Sequence, residues 1–263
     1  MESKLSTLAT GTTIFLSLLL VVGLILTGLF ISGGFGLALM TVLMFLLLVI
    51  IGMKSVGRPL GVLINERKVM SLSRFQMTIW TLFILSAFLF VSLQRIHDPT
   101  VQDPLSITVD WHLWALLGIS TGSFVGSSLV AGTKKKKEPA KPTAAKEVAE
   151  HFEGMGETEE SVNKNREGIL YGNATVEDAK FLDLLEGDEL KNTAYVDLSK
   201  IQMLLFTLVA AIAYAAALFR WVGENAPSDL VSFPELSEGL VTILGISHAG
   251  YLGNKAIDHT KVK

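Results

Sequence analysis

Long apolar runs constrain the fold of this chain more than any other feature. Six stretches are long enough to cross a bilayer, at residues 12–32, 36–53, 74–94, 111–131, 199–221 and 236–253. A span needs about 20 mostly apolar residues, because the hydrocarbon layer is about 30 Å thick. Backbone groups in lipid must be hydrogen-bonded within their own segment, so each span is predicted to be an α-helix. The sequence therefore predicts an all-α, polytopic membrane protein with about six transmembrane helices.

The composition agrees with this class. Half of the 263 residues are hydrophobic and 18% are charged, whereas a soluble domain carries about a quarter charged residues. The chain contains no cysteine, which excludes disulfides and thiolate chemistry. The first apolar run, residues 13–31, is longer than the core of a cleavable signal peptide, so we expect it to remain as the first helix.

Two pairs of matched blocks indicate an internal duplication. The sequence LSRFQM at 72–77 is matched by LSKIQM at 198–203, and LGIS occurs at both 117–120 and 244–247. The blocks occur in the same order, and their offsets differ by a single residue. We predict a duplicated helix-pair unit at about 71–131 and 197–257. Both copies begin on the same side of the membrane, so the repeat is of the parallel kind.

The distribution of lysine and arginine predicts the orientation. With both termini in the cytoplasm, only Arg95 and Arg220 of the 22 lysines and arginines fall outside. Positive charge next to helix ends is retained on the cytoplasmic side. The pattern is typical of a multi-pass protein of a bacterial inner membrane.

The predicted spans divide the chain into six regions. They are an N-terminal transmembrane hairpin (1–54), a cytoplasmic linker (55–73), the first helix pair (74–131), a partly disordered cytoplasmic segment (132–198), the second helix pair (199–257) and a cytoplasmic tail (258–263). Within the cytoplasmic segment, residues 147–168 are acidic and poor in apolar side chains, which is typical of weak order.

An amphipathic helix is predicted from Thr175 to Leu185, with Thr175 as its cap and Gly187 after its end. Such a helix could lie on the bilayer, pack on residues 57–65 or dock a partner. Its acidic face, with Glu177 and Asp183, disfavours adsorption to an anionic leaflet. We therefore expect packing or a partner.

Small residues at four-residue spacing predict a close helix–helix seam. They are Gly118, Gly122 and Gly126 in the first copy and Gly245, Ala249 and Gly253 in the second. Small side chains on one helix face let two backbones approach closely. The alternative interpretation is a narrow pore lined by glycine backbone.

Three polar side chains inside predicted spans are candidate functional residues. Gln76 and Gln202 are matched in the repeat, and they could bond each other, meet water at headgroup depth or line a pore. His248 is the one titratable side chain placed well inside a span; we favour a structural hydrogen bond over a functional role. No Asp, Glu, Lys or Arg is placed well inside a span, away from its ends, which argues against an ion-coupled transporter.

Basic residues beside the spans are candidates for contact with anionic lipids. Arg74 and Lys200 lie in the first turns of their helices and could extend to phosphates. A run of four lysines follows the fourth span, and each would contribute about 1 kcal/mol beside an anionic leaflet; its members are Lys134, Lys135, Lys136 and Lys137.

No pattern in the chain names a chemistry. We find no nucleophile–base set, no phosphate loop and no metal-ligand spacing, so we predict no catalytic, cofactor or metal site and no enzyme. A lysine run beside a span, without interleaved aromatic residues, does not indicate nucleic-acid binding. The leading hypothesis is an anchor or scaffold, in contact with membrane lipids, that binds a protein partner or a second copy of itself through 133–198. The alternative is an oligomeric channel or passive solute pore lined by the duplicated helices.

Overall fold

A computed structural model describes residues 2–140, 144–151 and 158–263 of the protein, with side chains from residue 11 onward. The fold is all-helical, as predicted, and the described residues contain no strand. Eight α-helices occur in these ranges: α1 (Glu2–Phe30), α2 (Gly33–Val56), α3 (Leu72–His97), α4 (Trp111–Lys134), α5 (Ala144–His151), α6 (Glu159–Asn165), α7 (Leu198–Glu224) and α8 (Glu238–Ala256).

Five of these helices are long and apolar enough to cross a membrane. They are α1 from Gly11 onward, α2, α3, α4 and α7, so the protein has the architecture of a polytopic membrane protein. The sixth predicted span, residues 236–253, forms α8, which has 19 residues but does not belong to this group. Polar side chains such as Ser247, His248 and Asn254 dilute its apolar character.

Local sequence explains where the helices begin and end. The last turn of α2 closes at Gly57, whose φ of 79° is left-handed and whose N–H donates to the carbonyl of Met53. The N-cap of α7 is Asp197, whose Oδ1 accepts from the N–H of Ser199 at 2.8 Å and from that of Lys200 at 3.4 Å.

The described residues form two compact units. The first unit contains residues up to Val62, Ile79–Trp114 and Ala210–Ser237. Here α1 packs against α2, and Trp80 and Phe90 are fully buried. A glycine is required at position 36, because a Cβ there would lie 2.6 Å from a ring carbon of Phe90. Gln94 donates to the carbonyls of Gly28 at 2.6 Å and Ile31 at 3.1 Å.

Arg95 lies in a cage of backbone carbonyls in the first unit. Its side chain is 4% exposed. The guanidinium donates to the carbonyl oxygens of Asp103, Pro104, Pro227, Ser228 and Leu230, at 2.9 to 3.5 Å. Backbone bonds between Thr108 and both Val231 and Phe233 join the same two loops. The loop after α3 and the loop after α7 are therefore held together within this unit.

The second unit contains Leu63–Thr78, Ala115–Val209 and Glu238–Lys263. A small apolar core joins α5 to α6, made by Ala144, Ala145, Val148, Ala149, Val162 and Leu190. Parts of the acidic stretch 147–168 are thus helical, while residues 152–157, which the same prediction covered, lie outside the described residues.

The amphipathic helix predicted from Thr175 to Leu185 is wrong as an α-helix. Only Phe181–Leu184 is helical there, as a short 3-10 turn. Two carboxylates accept hydrogen bonds from the backbone here instead. Asp178 accepts from the N–H and hydroxyl of Thr175. Asp183 accepts from the N–H of Lys180 and from that of Met70, which is distant in sequence. Short polar side chains that bond nearby backbone compete with the helix.

Candidate functional site

A carboxylate that is only 15% exposed lies at the centre of the second unit, in contact with three cations. Asp188 Oδ1 lies 2.9 Å from the guanidinium of Arg67 and 3.4 Å from Lys200 Nζ, and its Oδ2 lies 2.5 Å from Lys255 Nζ. The cations come from the loop before α3, the first turn of α7 and the last turn of α8. We refer to Arg67, Asp188, Lys200 and Lys255 as the ion cluster.

The electrostatics of the ion cluster keep Asp188 ionised. Burial alone would raise its pKa, but the charges of Lys200, Lys255 and Arg67 outweigh burial and hold the pKa well below its ordinary value. Backbone carbonyls satisfy further donors: Arg67 donates to Tyr171 at 2.7 Å, and Lys200 donates to Glu186. One carboxylate therefore joins cations from three elements of the second unit.

A second buried carboxylate, Glu189, holds the residues that follow α8. It is 1% exposed and accepts from Lys134 Nζ at 2.5 Å. It also accepts from the backbone N–H groups of His259 at 3.2 Å and Thr260 at 2.6 Å. Lys134 in turn donates to the carbonyl of Ile257 at 2.7 Å. The end of α4 and the tail after α8 are thus fixed to the segment that precedes α7.

A polar seam joins α4 to α8. Ser123 Oγ lies 2.6 Å from His248 Nδ1, and Ser127 Oγ lies 3.2 Å from Tyr251 Oη. Tyr251 Oη accepts from Lys255 Nζ at 3.1 Å. The seam therefore continues, one helical turn at a time, into the ion cluster.

The seam includes buried polar atoms that have no hydrogen-bond partner among the described residues. They are Ser120 Oγ, Ser247 Oγ and His248 Nε2. Leaving such an atom unsatisfied costs about 1–3 kcal/mol. The seam is consequently the least satisfied polar part of this unit, although its hydrogen bonds align both helices.

The glycine seam predicted from the sequence is not formed as expected. Gly118, Gly122 and Gly253 face open space, and Ala249 is exposed. Close contact is found at Gly126, where a Cβ would lie 3.1 Å from Leu252, and more loosely at Gly245, 3.6 Å from Ile119. Within this chain α4 buries its serine face instead, because the hydroxyls of that face find partners on α8.

The two matched glutamines have different environments. Gln76 is fully buried, and its Nε2 donates to Thr207 Oγ1 at 2.5 Å and to the carbonyl of Met203 at 3.4 Å. Gln202 is exposed. A bond between the two glutamines, one of the predicted alternatives, is therefore absent, because Thr207 is the partner of Gln76. His248 forms a hydrogen bond with Ser123, and its structural rather than functional role stays a prediction.

Two of the six predicted lipid contacts need correction. Lys134 and Lys200 are 3% exposed, and they bind Glu189 and Asp188 rather than reaching a headgroup. Each ammonium group is paired with a carboxylate of the protein, which is the partner that a lipid phosphate was predicted to provide.

The other four predicted lipid contacts keep part of their surface. Arg74 lies over the ring of Phe124, 5.9 Å from its centroid. Lys135 pairs with Glu66 at 3.0 Å, and Lys137 pairs with Asp258, while Lys136 is exposed.

Sequence reasoning missed the acidic members of the site. Nothing in the spacing of Asp188 and Glu189 distinguishes them from the surrounding surface charges. A signal did exist for the seam, since Ser120, Ser123 and Ser127 recur at three and four residues, which places them on one helix face.

In the described ranges, no three His, Asp or Glu side chains converge as metal ligands would. What the site does chemically is fix helix ends, through buried ion pairs and helix-to-helix hydrogen bonds. Comparisons with protein-family models, with curated proteins and with solved structures give no match for this chain.

Proposed function

We propose that this chain is a non-enzymatic, multi-pass protein of a bacterial inner membrane that acts as an anchor or scaffold. Its segment 133–198 would present a surface to a protein partner or to a second copy. The observation that carries the proposal is the ion cluster, in which one carboxylate of the segment binds cations next to α3, in α7 and in α8. A segment fixed to three elements in this way is suited to present a rigid surface to a partner rather than to perform a reaction.

The proposed orientation places the loops before α3 and α7, and both ends of the chain, in the cytoplasm. Lysine and arginine are concentrated on that side. The two exceptions support the assignment: Arg95 is enclosed by carbonyls, and Arg220 pairs with Glu224 one turn away at 3.0 Å. Burial among carbonyls removes the charge of Arg95 from the surface, and the carboxylate of Glu224 neutralises Arg220.

The duplicated unit is also part of the proposal. It is supported by the fact that α3 and α7 begin at the matched residues Leu72 and Leu198. The buried polar contacts differ between the copies, as those of Gln76 and Gln202 do, so the two copies would have diverged in role. The pair α7–α8 carries two cations of the ion cluster, while α3 carries none.

A channel is the weaker alternative. Of the three polar side chains that a pore would expose to its path, Gln76 and His248 are buried and hydrogen-bonded, and Gln202 is exposed. In a planar bilayer we expect the purified protein to be electrically silent. Reproducible unitary currents that disappear with Gln76→Leu would displace the scaffold proposal.

The scaffold proposal is tested with surface variants rather than a deletion, since removing 133–198 would break the ion cluster. Glu159→Lys with Glu160→Lys changes two exposed positions on α6. The control, Glu235→Lys, changes an exposed position in the loop before α8. After crosslinking in membranes and affinity purification of the full chain, we expect partners to be lost from the α6 variant only.

Two outcomes would contradict the scaffold proposal. Identical partner sets for the wild type, the α6 variant and the control, from protein that still elutes as a single species, would mean that the α6 surface is not the docking site. No crosslinked partner and no second copy in any sample would remove the basis of the scaffold proposal.

A further inference from the structure

Exposed apolar side chains form a patch immediately before α7. Phe181, Leu182, Val196 and Leu198 are 49% to 78% exposed; we call these four residues the interfacial patch. They lie together, because Glu186 and Val196 form an antiparallel bridge and the N–H of Asp197 donates to the carbonyl of Leu185 at 2.8 Å. Four large apolar side chains in so short a stretch are unusual for a water-exposed loop.

The acidic residues of this stretch do not interrupt the patch. Asp183 is directed at backbone, accepting from Met70 and Lys180 at 3.0 Å. Asp178 is occupied by Thr175 at 2.9 Å. Asp183 is the acidic residue nearest to Leu182 in sequence, and burial raises the pKa of its carboxyl group. Of the acidic residues that argued from sequence against contact with a bilayer, Asp183 is thus directed at backbone, whereas Glu177 is exposed and lies outside the stretch that contains the patch.

The patch adjoins a largely apolar exposed face of α7. Leu198 is the first residue of α7, and Leu205 and Val209 are exposed on the same helix at 55% and 62%. Seven- and four-residue spacings place these side chains on one face. Phe181 is in turn packed edge-on against Phe75 in the first turn of α3, with ring centroids 6.2 Å apart. The patch thus lies beside the points where two spans begin.

We propose that the interfacial patch inserts into the boundary between headgroups and acyl chains of the leaflet from which α7 enters the membrane. The occupant is lipid hydrocarbon, because the patch adjoins the face of α7 that exposes Leu205 and Val209, a face on which Gln202 is the exposed polar side chain. Apolar side chains at this depth bind by burying area, as interfacial segments do. The chain would be attached to this leaflet by a loop as well as by its spans, whether or not it acts as a scaffold.

The absence of cysteine allows a direct test on the full-length protein. Leu182→Cys carries a nitroxide spin label in the patch, and Glu160→Cys carries the same label at an exposed position on α6. In phosphatidylcholine liposomes, power saturation compares the accessibility of each label to oxygen, which concentrates in hydrocarbon, and to a water-soluble nickel chelate. Val196→Cys provides a second position should Leu182→Cys fail to fold.

We expect the ratio of oxygen to nickel accessibility to be several-fold higher at positions 182 and 196 than at position 160. Adding salt should leave the ratio unchanged, because the contact is apolar. A nickel preference equal to that of position 160 would overturn the proposal by placing the patch in water. Low accessibility to both reagents would overturn it too, since a protein surface would then cover the patch.

Discussion

Removing the carboxylate of Asp188 should destabilise the protein more than any other single charge change in the second unit. Asp188→Asn leaves Arg67, Lys200 and Lys255 buried without an anion. Breaking a buried ion pair by removing one partner costs about 3–5 kcal/mol. Arg67 and Lys200 keep carbonyl acceptors, whereas Lys255 keeps only the hydroxyl of Tyr251. We therefore expect the low end, about 3 kcal/mol.

The assay is heating of the purified protein in detergent, followed by the fraction that still elutes as a single species. For a chain of this size, about 3 kcal/mol corresponds to a fall in Tm of about 6–12 °C. The matched control is Glu147→Gln, because Glu147 pairs with Lys191 at 3.5 Å with both side chains more than half exposed. A pair of this kind contributes about 0–1 kcal/mol.

A double variant separates the lost ion pairs from general disruption. Lys255→Met removes the cation that depends most on Asp188, so it should cost less in the Asp188→Asn background than in the wild type. Such non-additivity is the signature of residues in contact. If Asp188→Asn lowers Tm no more than Glu147→Gln does, or if the two changes add, the ion cluster does not hold the unit together.

Three further outcomes are expected from the same heating assay. The gap between wild type and Asp188→Asn should narrow as the pH falls below about 4, because a carboxylate with a depressed pKa contributes stability above its unfolded value and loses it on protonation; a constant gap would contradict the assigned charge state. Ser123→Ala should cost about 1–3 kcal/mol by leaving His248 unsatisfied, while Ser128→Ala, at an exposed position, should cost little. Gln76→Leu should cost about 1 kcal/mol and Gln202→Leu nothing measurable, whereas equal losses would indicate symmetric roles.

Features that depend on local sequence were predictable. The lengths of the apolar runs predict the helical membrane class, and the cap of α7 at Asp197 likewise depends on an aspartate directly before an apolar run. Both depend on backbone groups that must be satisfied within a few residues, so the neighbouring residues contain the information.

Features that depend on distant partners were not predictable. The prediction that Lys200 contacts lipid failed because Asp188, twelve residues earlier, is positioned by the loop around Arg67 and not by anything near Lys200. The glycines of α4 gave a strong pattern, yet the serine face is buried, because the choice between two faces depends on His248 and Tyr251 of another helix. Spacing identifies a face but does not say what covers it.

The position of Glu189 determines when the second unit can be completed during synthesis. Its carboxylate accepts from the N–H groups of His259 and Thr260, which are synthesised 70 and 71 residues after it. Lys134 and Glu189 are therefore outside the ribosome, and the helices before them are in the membrane, well before those donors arrive. Until then the Lys134–Glu189 ion pair lacks the two N–H donors of His259 and Thr260 and the carbonyl of Ile257. The unit can therefore close only after the residues that follow α8 have been translated.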